Sequence, residues 1–593
     1  MSRSHWRLLH PLRPAACRAR RHDAIVRAWT VATLAFTVFA TSPASGTPPQ
    51  GAPADLILLG GRVFTADSTQ PWASALAISG ERVLSVGGDD AVRALAGPRT
   101  RTIELEGRVV VPGFNDAHMH IAADRGGVRL DFGEQRPPPD PSMAQVLDAL
   151  RRTVAKAPPG SWILSGQISA AVLDSPAPRN ALDGVAPDHP VMLTADTGHG
   201  SVLNSAALRA LGYDETTRDP PGGKFLRDRS GRLTGVLVEY AHTNAVTRQV
   251  GQRSAAVHGA ALRRASAEAL RLGITSIQGI ASNIAPAPTL QALRESRPPI
   301  RLRVIPMPTT DPGATLSTWR AAERTWPLPA DGHARVAGVK WMLDGTPLER
   351  QAALRAPYQD RPGEAGALNF SDDEIRARLR EALMQPPGAK NQLLFHTCGD
   401  RSAEQVLRLM KELAPAEAWR QRRVRLEHAE GLFEDLLPLA RELGVIVVEN
   451  PGHFADPPGL SLARLGSERV RQYQPLRSLE AAGIPIALGS DGVVDPFLDL
   501  MYATTHPNNP REAVSRETAV IAYTRGSAYA EFAEHDKGRL APGQLADLAV
   551  LSQDIFAVDS HALPGTTSVM TVVNGRIVHD AGVLAIAPAV GVE

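Results

Sequence analysis

The sequence predicts an α/β fold: a (β/α)8 TIM-like barrel with long insertions, plus a small β-sandwich domain built from both chain ends. Three observations lead to this prediction. Apolar, strand-like runs alternate with helical patterns from about residue 109 to residue 530, which is typical of parallel sheets covered by helices. Short strands separated by polar turns occupy both ends of the chain. Polar groups follow the apolar runs, as they do at the working face of a barrel.

The first 44 residues resemble a secretory signal peptide. Seven arginines precede an apolar run from Trp29 to Ala40, and small residues follow as far as Gly46. Basic region, apolar region and small-residue cleavage zone come in the order of an export signal. The apolar run is shorter than the roughly 20 residues that a membrane span needs. We therefore expect cleavage, no stable membrane anchor afterwards, and a periplasmic or secreted protein. An uncleaved tether or a misassigned start codon are the alternatives.

Charge and cysteine content narrow the class of protein. The leader holds seven of the 64 basic residues and one of the 62 acidic residues, so the mature chain carries a net charge of −4. This balance gives no reason to expect a nucleic-acid partner. The chain has two cysteines, Cys17 in the leader and Cys398. No intramolecular disulfide can therefore form after cleavage.

The two chain ends are predicted to pair into one small β domain. Asp55 to Phe64 is typical of two strands around a Gly-Gly turn, and the apolar run Val569 to Val578 contains the hairpin dipeptide Asn574-Gly575. Neither end is long enough to bury a core alone. The predicted boundaries are a signal peptide at 1–44, a linker at 45–54, sandwich halves at 55–110 and 531–593, and the barrel at 111–530.

Between the two ends, strands and helices alternate. The predicted strands are Ile274–Ile277, Leu393–Phe395, Val445–Val448 and Ile484–Leu488; the predicted helices include one ending near Leu272, one from Ser402 and one over Glu434–Leu443. The span of roughly 420 residues exceeds the about 250 residues of a bare barrel. We therefore expect long insertions, and the Pro- and charge-rich stretches 123–145, 211–235 and 350–370 are the candidates.

A His-x-His motif follows the first apolar run. Val109–Val111 is a β-branched run typical of a buried strand, and Pro112-Gly113 ends it. His118 and His120 are separated by one residue, so on an extended backbone both imidazoles point to the same side. Two converging neutral imidazoles form half of a metal site. Two ordinary loop histidines are the alternative for this motif taken alone.

Four further polar side chains lie in or just after later apolar runs. They are Lys340 in VKWML, His396 in LLFHTCGD, His428 in VRLEHA and Asp491 in PIALGSDG. Each alone has an ordinary explanation, because such residues also cap helices, stabilise turns or extend to solvent. With the first-strand pair they make six groups in barrel order. The sequence therefore predicts that they meet around metal at one mouth of the barrel.

These motifs are similar to those of the metal-dependent amidohydrolase superfamily, specifically the amidohydrolase family 3 branch that resembles N-substituted formamide deformylase. The resemblance covers about Leu56 to Val578. Its matching segments are PGFNDAHMH, HGSVLNSAAL, GITSIQ, VKWMLDGT, HTCGD, RLEHAEG, LGSDG and GRLAPGQLADLAVL.

Metal ligation is the first implication of the resemblance. In such families the first-strand histidines, here His118 and His120, bind one divalent metal. Histidines closing the fifth and sixth strands, here His396 and His428, bind a second. A fourth-strand lysine, matched by Lys340, is carbamylated by carbon dioxide and bridges the two metals. We expect one or two divalent ions, with zinc as the metal.

The resemblance also implies roles in the reaction. Asp491 matches the eighth-strand aspartate that binds metal and moves the proton. A single-metal enzyme would use it with the first-strand histidines and the fifth-strand histidine. His199 matches a histidine that contacts substrate or the oxyanion, with turn stabilisation as the alternative. Asp116, two residues before the first ligand, is expected to orient a ligand. Asn450-Pro451 departs from the Gln-Pro of this branch, and His453 follows it.

We therefore predict an exported metal-dependent hydrolase that acts on C–N bonds in an amide, formamide or cyclic amide through a metal-activated hydroxide. Hydrolysis of lactones, esters or phosphotriesters on the same metal core is one alternative. A non-catalytic binding protein with the same fold is another. The expected partners are a small-molecule substrate and a second copy of the chain in a homodimer.

Overall fold

The computed structural model describes residues 53–121, 125–133, 141–251, 253–282, 284–311, 314–455 and 459–587. The predicted signal peptide, and the linker up to residue 52, lie outside the described residues. Within those residues, no helix combines the length and the apolar character needed to cross a membrane.

Two sheets assembled from both chain ends form one part of the fold. Val109–Pro112 pairs in parallel with Arg62–Phe64 and antiparallel with Leu548–Leu551, so N-terminal and C-terminal strands share a sheet. Apolar side chains of both sheets, such as Leu58 and Val550, belong to one buried cluster. In spatial order, the first sheet contains Ile586–Ala587, Ala96–Glu104, Ala54–Leu59, Ala75–Ser79 and Arg82–Gly87, and the second contains Arg576–Asp580, Ser568–Val573, Leu548–Leu551, Val109–Pro112, Arg62–Phe64 and Trp72–Ala73. We call these the end sheets.

Two local predictions for the ends have different outcomes. Asn574 and Gly575 have φ of 52° and 68° and connect two paired antiparallel strands, as the hairpin dipeptide predicts. The strands on either side of Gly60-Gly61 form no hairpin with each other, because one lies in each end sheet. The glycine pair therefore moves the chain from one layer to the next.

Eight parallel strands form the central part of the fold, in the order of a closed barrel. In chain order they are Phe114–His120, Ile274–Ala281, Arg301–Pro306, Ala334–Val336 continued by Val339–Met342, Leu393–Thr397, Arg425–His428, Ile446–Glu449 and Ile486–Leu488. We number them barrel strands 1 to 8. Strand 8 meets strand 1 where the Asp491 backbone N–H donates to His118 O at 2.9 Å.

Strand 4 is bent at a glycine. Its first half pairs with strand 3 and its second half pairs with strand 5. Between the halves, Gly338 has a φ of +83°, and a Cβ there would lie 2.7 Å from the Arg303 guanidinium. A side chain at this position would be both strained and crowded, so the glycine permits the change of partner.

Helices follow the strands, as an α/β barrel requires. The helices of this part are Ala255–Arg271, Pro286–Ser296, Leu316–Thr325, Asp372–Met384, Asp400–Leu413, Ala416–Arg420, Leu437–Leu443, Leu460–Leu465, Ser467–Val470, Leu476–Ala482, Pro496–Thr505, Arg516–Ile521 and Ser527–Ala530. Asp372–Met384 illustrates the local signals: Ser371 and Glu374 form a capping box, and three acidic residues occupy its first turn.

The largest insertion separates strands 1 and 2 and contains a sheet of its own. Its strands, in spatial order, are Gly223–Arg227, Leu233–Glu239, Gly200–Leu203, Val191–Ala195, Ile163–Ile168 and Val128–Arg129, and its helices are Met143–Val154, Pro178–Asp183, Ser205–Ala210 and Tyr240–Val250. We call it the insertion sheet. A separate apolar cluster that includes Val146, Leu193 and Val236 forms its core. The described residues of the predicted insertions 123–145 and 211–235 are thus parts of one larger unit.

The valine run before the His-x-His motif is a buried strand, as predicted, but it is not the barrel strand that carries the histidines. Val109–Pro112 is an end-sheet strand, and the histidines lie on the next strand, Phe114–His120. Gly113 separates the two, and a Cβ at Gly113 would lie 2.2 Å from Thr275 Oγ1. The chain crosses from the end sheets to the barrel at this glycine because only a residue without a side chain fits against strand 2.

Candidate metal centre

The predicted site residues converge on one cavity of about 660 Å³ at the carboxyl ends of the barrel strands. Six of the seven line it: His120, His199, Lys340, His396, His428 and Asp491. The seventh, His118, is fully buried directly behind Lys340 and Asp491. The structure therefore brings together residues that are up to 373 positions apart in the sequence.

Three of these side chains form the tightest group of potential ligands. Donor atoms of His118, His428 and Asp491 all lie within 4.8 Å of one another. His120 extends the group, because its Nε2 lies 3.0 Å from Asp491 Oδ1. Barrel strands 1 and 6 and the turn after strand 8 supply these residues, so closure of the barrel is what assembles the group.

His118 is held by a buried ion pair on strand 6. Its Nδ1 donates to Glu427 Oε2 at 2.6 Å, so Nε2 carries the lone pair that can accept a hydrogen bond or bind a metal. Arg425 donates to both oxygens of Glu427 at 2.7 and 2.9 Å. Burial lowers the pKa of His118 to about 4, so the ring is neutral at pH 7. Although burial opposes it, the Arg425 charge and His118 lower the pKa of Glu427 to about 2.

His428 and His396 continue the row of imidazoles. His428 Nδ1 donates to Asn450 Oδ1 at 2.8 Å, and the Asn450 amide nitrogen is committed to Gly489 O. The rings of His396 and His428 have centroids 4.5 Å apart, and burial holds the pKa of both well below the usual value. Asn450, the departure from the expected Gln, therefore orients a predicted ligand.

Lys340 lies at the centre of the group. The chain places it on barrel strand 4, and its Nζ donates to His118 Nε2 at 3.0 Å. The side chain is 2 % exposed, and burial lowers the pKa of its ammonium group. A lysine in such a place is favoured in its neutral form.

Asp491 follows strand 8 in a strained backbone conformation. Its φ is +37°, which is costly for a residue with a side chain, and His428 has a φ of +68°. Burial raises the pKa of the Asp491 carboxyl, but His118 and His120 outweigh it and hold that pKa well below the usual value. The carboxylate is therefore ionised, as a metal ligand must be.

Asp116 contacts the backbone of His118 rather than its ring, and its role in orienting that ligand stays a prediction. Its carboxylate accepts hydrogen bonds from the backbone N–H groups of His118 and Ser490 at 3.2 and 3.1 Å, and from Tyr523. His118 belongs to strand 1 and Ser490 follows strand 8. By accepting from the backbone of both residues, the Asp116 carboxylate links strand 1 to the turn after strand 8.

His199 approaches the cavity from the insertion sheet. Its Nδ1 lies 3.2 Å from both oxygens of Glu239, and its ring centroid is 4.7 Å from that of His396. Burial opposes protonation, but the Glu239 charge outweighs it and raises the pKa of His199 to about 9. A protonated imidazole therefore faces the space beside the metal-ligand candidates.

The sequence prediction missed the side chains that support the ligands. Arg425 and Glu427 lie at alternate positions of a four-residue strand, a signal that both face the barrel interior with the other inward groups. His453 was noted without a role. Its Nδ1 donates to Glu430 Oε1 at 3.0 Å and its Nε2 lies 3.6 Å from Asp491 Oδ2. Its position in a loop gave no periodic signal.

The donor set fits a divalent cation. Neutral imidazoles and an ionised carboxylate are the ligand types of zinc and similar ions. The second ring nitrogens of His118 and His428 donate to Glu427 and Asn450, as those of metal-binding histidines do. His118 and His428 would hold such an ion together with Asp491. The ligand roles themselves remain a prediction.

Comparison with known proteins identifies the family. The model of a family described as the amidohydrolase family matches residues 101–579, most of the chain. The chain belongs to the amidohydrolase family. The predicted superfamily is thereby confirmed, and so is the prediction of a metal-dependent hydrolase that acts on C–N bonds.

Individual relatives agree with this assignment. The amidohydrolase is 31% identical to the protein LONG AFTER FAR-RED 3 of Arabidopsis thaliana, over 87% of this chain and 91% of the relative. It is 26% identical to the N-substituted formamide deformylase of Arthrobacter pascens, over 84% and 94% of the two chains. A solved structure, an uncharacterized metal-dependent hydrolase from Pyrococcus furiosus, matches with a TM-score of 0.64 at 25% identity, over 84% of this chain and 99% of that chain.

Proposed function

We propose that this amidohydrolase hydrolyses the C–N bond of a small amide, formamide or cyclic amide at the centre around His118, His428 and Asp491. The observation that carries the proposal is the group of three donor atoms within 4.8 Å beside a cavity large enough for a small molecule. The relative named as an N-substituted formamide deformylase supports an amide or formamide as substrate.

Zinc fits these ligands best, and a bound ion would supply a Lewis acid and a lowered pKa for a water molecule. The chain contributes the groups that move protons and balance charge. Asp491 is ionised and accepts the proton of the attacking water at a carboxylate oxygen, then delivers it to the leaving nitrogen. His199 is protonated and donates to the substrate oxygen as negative charge develops there.

Lys340 is proposed to carry a carbamate. A neutral amine nitrogen can add to the carbon of carbon dioxide, forming an N–C bond and releasing one proton. The buried position of Lys340 and the lowered pKa of its ammonium favour the neutral amine that this addition requires. Such a carbamate would supply two oxygen atoms, so the site could hold two ions, in which case His118 and His120 would hold one ion, and His396 and His428 would hold the other. Intact-protein mass spectrometry under carbon dioxide, compared with Lys340→Arg, tests the modification.

Export is a further part of the proposal. In the leader at 1–44 the basic, apolar and small-residue regions follow one another as in a cleaved signal peptide, and N-terminal sequencing of the secreted or periplasmic protein tests the cleavage.

The two end sheets are proposed to form one β-sandwich domain, because apolar side chains of both layers belong to the same buried cluster.

Metal analysis joined to an activity panel tests the central proposal. Purified protein should contain stoichiometric divalent metal and hydrolyse at least one member of a panel of formamides, amides and cyclic amides. His118→Ala should lose metal and activity together. The exposed His561→Ala is the matched control and should keep both. Stoichiometric metal with turnover only of lactones, esters or phosphotriesters, or with no turnover, would contradict C–N hydrolysis.

A further inference from the structure

The cavity that contains the metal-ligand candidates is also lined by a cation that the proposed mechanism does not use. Arg125 lies five residues after His120 and lines the same cavity. Five residues span at most about 18 Å of chain, so the two residues face a space that one small molecule can bridge. Gln249 Nε2 donates to Arg125 O at 2.8 Å and positions its backbone.

The guanidinium of Arg125 has no ionic partner among the described residues. One Nη donates to Thr194 Oγ1 at 3.0 Å, the other lies 2.8 Å from Met192 Sδ, and Nε is buried without any acceptor. Arg179 and Arg248 of the same region form salt bridges of 2.8 and 2.6 Å with acidic side chains. Arg125 has no such acidic partner among the described residues.

Burial of a guanidinium in a cavity wall costs desolvation free energy unless an anionic ligand pairs with it. Burial lowers the pKa of Arg125 to about 10, so it remains charged at neutral pH. Its planar fork matches the two oxygens of a carboxylate.

We propose that Arg125 determines substrate specificity by binding a carboxylate, and that the substrates are amides carrying a carboxylate group. Hydrolysis of such amides rests on the proposed function, whereas their recognition by Arg125 does not. The carboxylate would bind at the guanidinium while the amide carbonyl lies beside His428 and Asp491.

Matched ligand pairs test this proposal. The probes are N-formyl and N-acetyl derivatives of glycine, leucine and phenylalanine, in both enantiomers where these exist, each as the free carboxylate and as the primary amide. Dissociation constants and kcat/KM are measured for the metal-loaded wild type. Arg125→Met removes the charge at similar length, Arg125→Lys keeps it, and Arg129→Met changes an exposed arginine of the same insertion sheet as a control.

The wild type and Arg129→Met should bind the best carboxylate about 30-fold or more tightly than its amide. Arg125→Met should reduce that preference to less than about 3-fold, and Arg125→Lys should restore part of it. The thermal unfolding midpoint of Arg125→Met should be equal to or higher than that of the wild type, because an apolar side chain replaces an unpaired charge.

Two results would overturn the proposal. One is a wild type that binds no carboxylate more tightly than its amide, whether or not amides are hydrolysed. The other is an Arg125→Met variant with a lower unfolding midpoint and equal losses on both ligand forms, which would make Arg125 a structural residue. Carboxylate-selective binding that depends on Arg125, without hydrolysis of any probe, would support this proposal and contradict the proposed function.

Discussion

His118 owes its orientation and its tautomer to one carboxylate. Glu427 accepts from Nδ1, so Nε2 keeps the lone pair that a cation needs. Arg425 in turn fixes Glu427 and also donates to Ala117 O at 2.7 Å, on the ligand strand itself. The geometry of the ligand therefore depends on a charge pair that touches neither substrate nor cavity.

Glu427→Gln should weaken metal binding by about 10–100-fold, the usual loss when such a support is removed. Glutamine has the same shape but lacks the charge that holds the His118 Nδ1 proton. The measurement is competition with a chelator of known affinity. Glu434→Gln, at an exposed position shortly after strand 6, is the control and should bind metal like the wild type. Equal affinity in both variants would mean that Glu427 has no influence on the ligand.

Glu531 gives a pH-dependent prediction away from the metal centre. It forms a 2.7 Å salt bridge with buried Lys537, and it also pairs with Arg335. Burial opposes ionisation, but these cations lower the pKa of Glu531 from 4.5 to about 2. Its ionised form therefore stabilises the fold by about 3 kcal/mol. This contribution is complete above pH 4.5 and is lost as the pH falls through about 2.

Glu531→Gln should accordingly lower the free energy of unfolding by about 3 kcal/mol at pH 7, and by progressively less below pH 4.5. Urea unfolding of the variant and the wild type at pH 7, 4.5 and 3 measures the difference. A difference that stays constant or grows towards pH 3 would contradict the assigned pKa.

At the scale of single residues, the sequence predicted the groups that converge on the cavity but not their supports. His118, His396, His428 and Asp491 follow apolar runs, and the ends of parallel strands meet at one face. Glu427 acts through a residue 309 positions earlier, and no local pattern encodes such a pairing. Asp116 likewise accepts from the backbone N–H of Ser490, 374 positions later, and no local pattern indicates this contact.

Among the elements, strand 8 closes the barrel through a close backbone approach. A Cβ at Gly489 would lie 2.3 Å from the His118 backbone nitrogen. Real Cβ contacts are not this short, so any side chain here would push strands 1 and 8 apart. Both strands carry proposed ligands, and closure and metal binding therefore depend on the same glycine.

Gly489→Ala should lower the free energy of unfolding by about 1–3 kcal/mol through overpacking and should also weaken metal binding. Gly492→Ala is the matched control, because a Cβ there meets its nearest heavy atom at an ordinary 3.7 Å. Thermal unfolding and metal content of the two variants provide the comparison. A stable, metal-loaded Gly489→Ala variant would show that strands 1 and 8 tolerate separation.

Element prediction succeeded where periodicity was strong and failed where partners were distant. The strand before His396 and the helix ending near Leu272 appear as expected. The valine run at 109–111 has the composition of a barrel strand, yet it pairs with residues near position 550. Composition indicates burial on both faces, but it does not identify the sheet that provides that burial.

In the whole molecule, a buried ion pair connects the barrel to the end sheets. Arg301, at the start of strand 3, donates to Asp547 at 2.6 Å, and Asp547 also accepts from the Asn574 backbone at 2.8 Å. The C-terminal strands are therefore attached to the barrel as well as to the N-terminal strands. The two parts should fold as one unit.

Truncation tests this dependence. A chain ending at Leu545 lacks Asp547 and Leu548–Leu551, the C-terminal strand that pairs with Val109–Pro112, so it should be recovered mostly in the insoluble fraction. A chain ending at Ala587 keeps every described strand and should remain soluble and bind metal. The ratio of soluble to total protein measures the effect. Soluble, metal-binding protein ending at Leu545 would show that the barrel is independent of the end sheets.

The insertion sheet has its own apolar core. It supplies His199 and the neighbours of Arg125, whereas the proposed metal ligands come from the barrel. The proposed metal ligands and the proposed carboxylate-binding arginine are thus encoded in separate stretches of the gene. Exchange of residues 125–251 with the equivalent stretch of a relative that keeps a histidine in place of His199 would change the substrate preference while the metal ligands stayed in place. Such modularity makes this stretch the natural target for redirecting the enzyme towards new compounds.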